Sequence, residues 1–305
     1  MKPLISVVIP THNRRPFLEE AIKSVRAQRD VDVEIIVVDD ASTDDTWEWL
    51  MSQDNLSIVR QDRNSRQAAA RNAGFAMATG NYVMFLDDDD VLLPGALVTL
   101  HKALDSQPAA VGAAGARWDW FVDEGRGRRD AHPRLRRVKN AFDEFLFGWS
   151  AIPSQSLYRS SAIRAVNGFD ETLWLVEDRD LWLRATRNGP VVFVPDLVVK
   201  YRVTRDQFRP ANIGDLREHV AQKAIESLPD AEKGRAVRIR RSGVAFNAAD
   251  ESLRAGRYIE GMRYTFKGFA ASPQIFMSPL IASWACKRLV RACVRSIIPP
   301  RYRPS

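Results

Sequence analysis

Four aspartates stand in a row at Asp87-Asp88-Asp89-Asp90, directly after the apolar run Tyr82-Val83-Met84-Phe85-Leu86. Carboxylates crowded that closely repel one another, and hard oxygen donors suit Mg²⁺ or Mn²⁺. The cluster therefore reads as a metal site, against the plainer reading of a solvated acidic turn. Acidic groups recur at Asp39-Asp40 and at Glu177-Asp178, the latter followed by Asp180. Neither a G-x-G-x-x-G nor a G-x-x-x-x-G-K-[ST] stretch follows any apolar run, which counts against a dinucleotide fingerprint and a P-loop. Phosphates would instead lean on a cation at the Asp cluster, helped by arginines such as Arg66 or Arg71. The four histidines show no metal-ligand spacing.

These groups need elements to carry them. Ile5 to Ile9 reads as a strand, with Pro10 to Arg14 as the turn after it. Phe17, Leu18, Ala21, Ile22 and Val25 then recur at helical spacing. Glu34 to Val38 is a second strand ending in Asp39-Asp40. Ser42 or Thr43 suits the cap of the next helix, with Asp44 and Asp45 favourable in its first turn. Leu56 to Val59 is a short third strand, Ala68 to Ala78 a helix, and the Tyr82 run a strand buried on both faces. Pro94 opens a helix through Leu104. Alternating strands and helices predict an α/β fold, a doubly wound and mostly parallel sheet. In such sheets ligands bind at the carboxyl ends of the strands, where the acidic clusters fall.

Further on, Ala110 to Ala116 and Gln155 to Tyr158 read as strands, and Glu177 to Arg187 as a helix. Val191 to Val194 and Leu197 to Val203 read as two short β segments. Gly125 to Arg137, with six arginines, reads as a basic loop, either plain surface or a flank to an anionic-substrate site. A boundary near 205–212 gives two domains: 1–208, and a helical 209–305 with helices at Leu216 to Ser227, Ala231 to Ala255, Tyr258 to Ala271 and Pro279 to Ile298. The second and third of these helices suggest a hairpin.

Of 305 residues, 45 are basic and 38 acidic, and no acid follows Glu260. The net charge of +7 thus belongs largely to the tail, and nothing points to nucleic acid. In the last helix Lys287, Arg288, Arg291 and Arg295 fall within ~100° of arc. A basic amphipathic helix of this kind either lies on an anionic membrane surface or packs its apolar side on the body. Cys286 and Cys293 lie ~10 Å apart along such a helix, too far for a disulfide, which fits a reducing cytosol. No leader pattern and no transmembrane run is read.

Taken together, five stretches resemble glycosyltransferase family 2 enzymes of the GT-A fold. They are Ile5 to Arg14, Glu34 to Thr46, Ala70-Arg71-Asn72-Ala73-Gly74 with Ala78 to Tyr82, Phe85 to Asp90, and Gly168-Phe169-Asp170-Glu171 followed by Glu177 to Arg184. The resemblance covers residues 3–205. It implies that Pro10, Thr11 and Asn13 edge a nucleotide pocket and that Asp40, with Asp39, bonds the base. It implies that Asp87 and Asp89 form the D-x-D pair holding Mn²⁺ or Mg²⁺ on the diphosphate, with Asp88 between them. Four adjacent aspartates leave the register open by one, so Asp88 or Asp90 enters as well. Asp178 matches the family's catalytic base; without the resemblance, a salt bridge to Arg184 or Arg187 is the better explanation. Where processive members carry Q-x-x-R-W, this chain has Asp180-Leu181-Trp182-Leu183-Arg184, which implies transfer of single sugars. Trp174 and Trp182 are available to stack on a sugar or to fill a core.

The implied reaction is inverting transfer from a nucleoside-diphosphate sugar, UDP-linked by preference, to a saccharide or lipid-linked acceptor, at the cytoplasmic side of a membrane. Acceptor contacts are expected near 116–160. A rival stands beside it: Asp87 and Asp89 also fit the D-x-D-x-[TV] loop of haloacid-dehalogenase-like phosphatases, although three strands precede it here.

Overall fold

The computed structural model describes residues 2–122, 125–130, 136–138, 140–148, 151–203 and 210–274. The chain divides into two compact units: Met1–Ala141 with Ala151–Val220, and Phe142–Ser150 with Ala221–Ser305.

The first unit is built on one mixed sheet. Strand β1 (Leu4–Thr11) lies at its heart, parallel to β2 (Asp32–Asp39) on one side and β4 (Tyr82–Phe85) on the other. β3 (Ser57–Arg60) extends the parallel part beyond β2. Past β4 the sheet continues through β9 (Ser156–Arg159), β6 (Gly112–Phe121), β10 (Val191–Val203) and β5 (Val91–Leu92). β9 runs antiparallel to both its neighbours, so only part of the sheet has the parallel direction the alternation predicts.

Both faces are covered, as continuous apolar strands require. Ile5, Val7, Ile9, Val37 and Met84 join one core with Leu18, Ile22 and Val25 of α1 (Arg15–Arg26) and Leu97, Leu100 and Leu104 of α4 (Ala96–Asp105). On the opposite face α3 (Arg66–Met77) presses Phe75 against Phe85 and lays Gly74 on β1 and β2. A Cβ at Gly74 would come within 2.4 Å of Val8 and 2.9 Å of Val38, so only glycine permits this approach.

Several local expectations are revised. The arginine-rich stretch from Gly125 is not simply a loop: β7 (Arg126–Asp130) pairs antiparallel with β6, and β8 (Arg136–Val138) with β10. Charged residues guard sheet edges, so basic composition does not forbid a strand there. The two β segments at 191–203 are a single strand with register shifts between Phe193 and Val199, where Pro195 lacks the N–H that a regular ladder needs. Neither Ser42 nor Thr43 caps α2 (Thr46–Met51); Asp45 holds that position without a side-chain bond. Ser42 Oγ is taken by the N–H of Asn13, a partner 29 residues away. α4 begins at Ala96 behind a left-handed Gly95, later than Pro94 suggests.

The second unit holds α9 (Asp230–Arg254) and α10 (Tyr258–Ala271), and most of α5 (Ala141–Phe147). Gly261 meets Leu253, and Gly268 meets Phe246 and Ser242, so α9 and α10 form an antiparallel hairpin. α8 (Ile213–Glu226) spans the division between the units. The expected helix at 279–298, with its cysteines and basic arc, lies outside the described residues.

Candidate active site

The carboxyl ends of β1, β2 and β4 come level. Thr11 pairs with Asp39 across β1 and β2, Asp40 donates its N–H to Thr11 O at 2.8 Å, and Leu86 donates to Val8 O at 2.9 Å. This register brings Pro10, Thr11, Asn13, Asp39, Asp40 and the Asp87–Asp90 run to one edge.

The four aspartates then separate into two kinds. Asp90 N–H closes a turn on Asp87 O at 3.1 Å, and the side chains alternate. Asp87 and Asp89 keep 20% and 26% of their side-chain surface exposed, while Asp88 and Asp90 are buried. Asp88 accepts Thr11 Oγ1 at 2.7 Å and Arg14 Nη1 at 3.2 Å; the same Arg14 nitrogen lies 3.0 Å from Asp89. Asp90 accepts the N–H of Arg202 at 3.1 Å, and its other oxygen has no partner among the described residues. Burial lifts the Asp88 carboxyl to about 6, with Arg14 opposing and Asp89 adding. Burial and then Asp87 raise Asp89, and burial with both neighbours raises Asp90 well above the usual range. The charge is thus held partly in check by Arg14 and Arg202.

Asp87 is fixed from two further directions. Its N–H donates to Ser154 Oγ at 3.0 Å, and its carboxylate accepts Arg71 Nη2 at 2.6 Å. Arg71 is buried, and its Nη1 donates to Glu177 at 2.6 Å. One guanidinium therefore joins the end of β4 to the start of α7 (Glu177–Ala185). Nearby, Asn72 clasps Phe169, accepting its N–H at 2.8 Å and donating to its carbonyl at 2.9 Å. The Ala70–Gly74 and Gly168–Glu171 stretches are thus neighbours in space.

Asp178 lies in the first turn of α7, preceded by Leu175 and Val176, both left-handed with φ of 67° and 58°. Such a conformation is costly for a β-branched residue and recurs at functional sites. The carboxylate accepts the N–H of Arg179 at 2.7 Å. Burial foremost, then Glu177, lifts Asp178 to about 6, against Arg71 and Arg179. The alternative partner Arg184 belongs instead to Asp180, at 2.5 Å. Trp182 fills the core, donating to Ala151 O at 3.0 Å, whereas Trp174 is exposed with Arg66 over its ring.

At the β2 end of this edge, Asp40 accepts the N–H groups of Ser65 at 2.7 Å and Arg66 at 2.8 Å. Asp39 is fully buried and accepts the Ser42 N–H at 3.1 Å. Asn13, left-handed at φ 56°, accepts the N–H groups of Thr43 and Asp44. A groove of about 840 Å³ is lined by Gln61, Arg63, Ser65, Arg66, Asn72 and Glu171 among others; the four aspartates do not line it.

Among the described residues no group of three or more His, Cys, Asp or Glu is placed to hold a metal. Asp87 and Asp89 supply two partly exposed carboxylates, and Mg²⁺-type ions are commonly held by one or two carboxylates with substrate phosphates completing the shell. The donor set fits that arrangement. Arg14, Ser154 and Glu177 went unassigned in the sequence, because each partnership spans dozens of residues.

The family model for Glycosyl transferase family 2 matches residues 6–166. YwdF of Bacillus subtilis, an uncharacterized glycosyltransferase, is 30% identical over 198 residues, 65% of this chain and 73% of the relative. A GalNAc(5)-diNAcBac-PP-undecaprenol beta-1,3-glucosyltransferase of Campylobacter jejuni is 46% identical over 103 residues, 32% of this chain and 33% of the relative. The chain spans 26% of the length of a further curated relative from Sinorhizobium fredii and 65% of one from Mycobacterium tuberculosis. Among solved structures, S. aureus TarS 1-349 in complex with UDP-GlcNAc shares the fold with a TM-score of 0.64 at 19% identity, covering 89% of this chain and 81% of that one.

Proposed function

The chain belongs to glycosyl transferase family 2, and from that premise we propose that it moves one sugar at a time from a UDP-linked donor to a hydroxyl of a saccharide or lipid-linked acceptor. The Campylobacter jejuni relative acts on an undecaprenol-linked saccharide and the TarS neighbour binds UDP-GlcNAc, which supports this choice of substrates. We assign the chemistry to residues 1–208 and treat 209–305 as a helical appendage. On this reading the enzyme works in the cytoplasm at the membrane face, its basic segment 279–298 meeting anionic lipid.

Asp87 and Asp89 would hold Mn²⁺ or Mg²⁺ against the donor diphosphate. The ion, when bound, offsets the charge that grows on the departing nucleotide. Asp88 and Asp90 keep the turn in shape through Thr11, Arg14 and Arg202. Pro10, Thr11, Asn13, Asp39 and Asp40 edge the nucleotide pocket. Arg66 lies at the rim of that edge, and Arg71 orients Asp87. Asp178 takes the proton from the acceptor hydroxyl as its oxygen attacks the anomeric carbon from the face opposite the diphosphate. A carboxyl lifted to about 6 is ionised at pH 7.5 yet is a stronger base than an ordinary aspartate.

The observation carrying this reading is the shared guanidinium: Arg71 ties the diphosphate-facing Asp87 to Glu177, the residue next to the base. A panel of nucleotide sugars with and without Mn²⁺, read by release of nucleoside diphosphate, tests it. Transfer that depends on Mn²⁺ and is lost in Asp178→Asn, with donor binding kept, is the expected result. Metal-dependent phosphatase turnover instead would restore the rival.

A further inference from the structure

Helix α10 is built the wrong way round for a helix that packs on a soluble body. Its side toward α9 carries small residues: Gly261, Thr265 and Gly268, all buried. A Cβ at Gly261 would come within 2.5 Å of Leu253, and one at Gly268 within 2.3 Å of Phe246, so the two backbones approach closely. Phe269 also turns its ring onto Phe246 of α9, 5.5 Å between centroids, but three other large apolar residues face elsewhere. Ile259 is 82% exposed and Phe266 74% exposed, with Met262 between them also exposed. At ~100° per residue these three share about 60° of arc, a single stripe along two turns. An exposed contiguous apolar surface marks a binding face.

The charges beside the stripe say what it meets. Arg263 and Lys267 are exposed and follow the apolar arc, about 40° and 80° further round at the α-helical period. The helix's own acid, Glu260, lies beyond them and is paired with Arg257 at 2.7 Å. Residues 275–286 carry no charge, and cover by them is the outcome that the melting test below reads. Residues 287–305 hold six basic and no acidic residues, so that stretch would set like charge against Arg263 and Lys267. A second copy docked face to face would do the same. An anionic lipid surface satisfies both halves, taking the apolar stripe below the headgroups and the cations among them.

We propose that the Ile259–Met262–Phe266 face of α10 is a docking surface for anionic membrane, with Arg263 and Lys267 contacting lipid phosphates. The proposal deepens the membrane part of the reading above, but it stands apart from the segment 279–298 and from the catalytic chemistry.

Cosedimentation of the full chain with vesicles, without nucleotide, tests it. Vesicles of phosphatidylcholine alone are compared with vesicles containing about one third phosphatidylglycerol. Binding to the anionic vesicles that weakens with salt is expected, together with a roughly tenfold loss of partitioning in the Ile259→Ser/Phe266→Ser double variant. Arg263→Glu/Lys267→Glu should lose a similar amount. Unchanged partitioning in both double variants overturns the proposal, even if reversing Lys287, Arg288, Arg291 and Arg295 abolishes binding. It is equally overturned if the serine variant melts several degrees lower, since the chain itself then covers the face. A dimer by light scattering that the serine variant converts to monomer overturns it as well.

Discussion

The carboxyl edge of the sheet and helix α10 break the same rule in opposite senses. Folded chains bury hydrocarbon and expose charge. At the sheet edge Asp88, Asp90, Arg71 and Glu177 are buried charges; on α10, Ile259 and Phe266 are exposed hydrocarbon. The first inversion is balanced within the chain: Arg71 answers Asp87 and Glu177, and Arg14 answers Asp88. The second has no apolar cover among the described residues. Where the balance is internal, a mutation should cost stability or rate; where it is supplied from outside, a mutation should cost only association.

The sharpest break falls on Asp178. Asp178→Asn should reduce the turnover number by about 10²–10⁴-fold and leave UDP affinity, measured by calorimetry, unchanged. A loss of both would move Asp178 out of the base role. Next is Arg71→Met, which strands the buried Glu177 and leaves the half-buried Asp87 without its cation, and should cost ~3–5 kcal/mol in denaturant unfolding. Asp89→Ala should abolish the Mn²⁺ dependence of UDP binding, whereas Asp88→Asn, which keeps the shape of the Thr11 contact, should preserve it. Equal effects from the two would show that exposure does not sort the four aspartates.

Smaller effects concern pH. A base lifted to about 6 implies that kcat/KM falls tenfold per unit as pH drops below that value. The sign for stability runs the other way. A carboxyl whose folded pKa exceeds its unfolded value costs stability once ionised, a cost absent below pH 4 and complete above about 6. Asp178→Asn should therefore raise Tm at pH 8 and make no difference at pH 4. At the bottom of the scale, Ile259→Ser and Phe266→Ser should each shift unfolding by within ~0.5 kcal/mol, as exposed positions do.

Much of this was readable beforehand where the signal is local. Apolar runs named β1, β2 and β4, and the carboxyl ends of β2 and β4 carried the acidic groups that now share an edge. The long-range partnerships were not readable. Ser42 has every attribute of a cap, but the left-handed Asn13 presents its N–H there instead. Which aspartates face outward depends on a turn that Arg202, over a hundred residues later, helps to pin. Arginine-rich β7 hides its strand because edge strands tolerate charge, and Gly127 lies where a side chain would strike Trp118.

Arg71 also constrains how such an enzyme changes its substrates. Its two carboxylate partners, Asp87 and Glu177, belong on the proposed function to the donor side and the acceptor side, and each is held at 2.6 Å. A graft that replaced α7 with that of a relative, to alter the acceptor, would inherit the obligation to supply a carboxylate at position 177. Without it, Arg71 would swing or sit unpaired, and Asp87 would lose its setting. If the proposed function holds, donor and acceptor preferences in this chain are not modular: they share a hinge pin, and recombination must keep both ends of it.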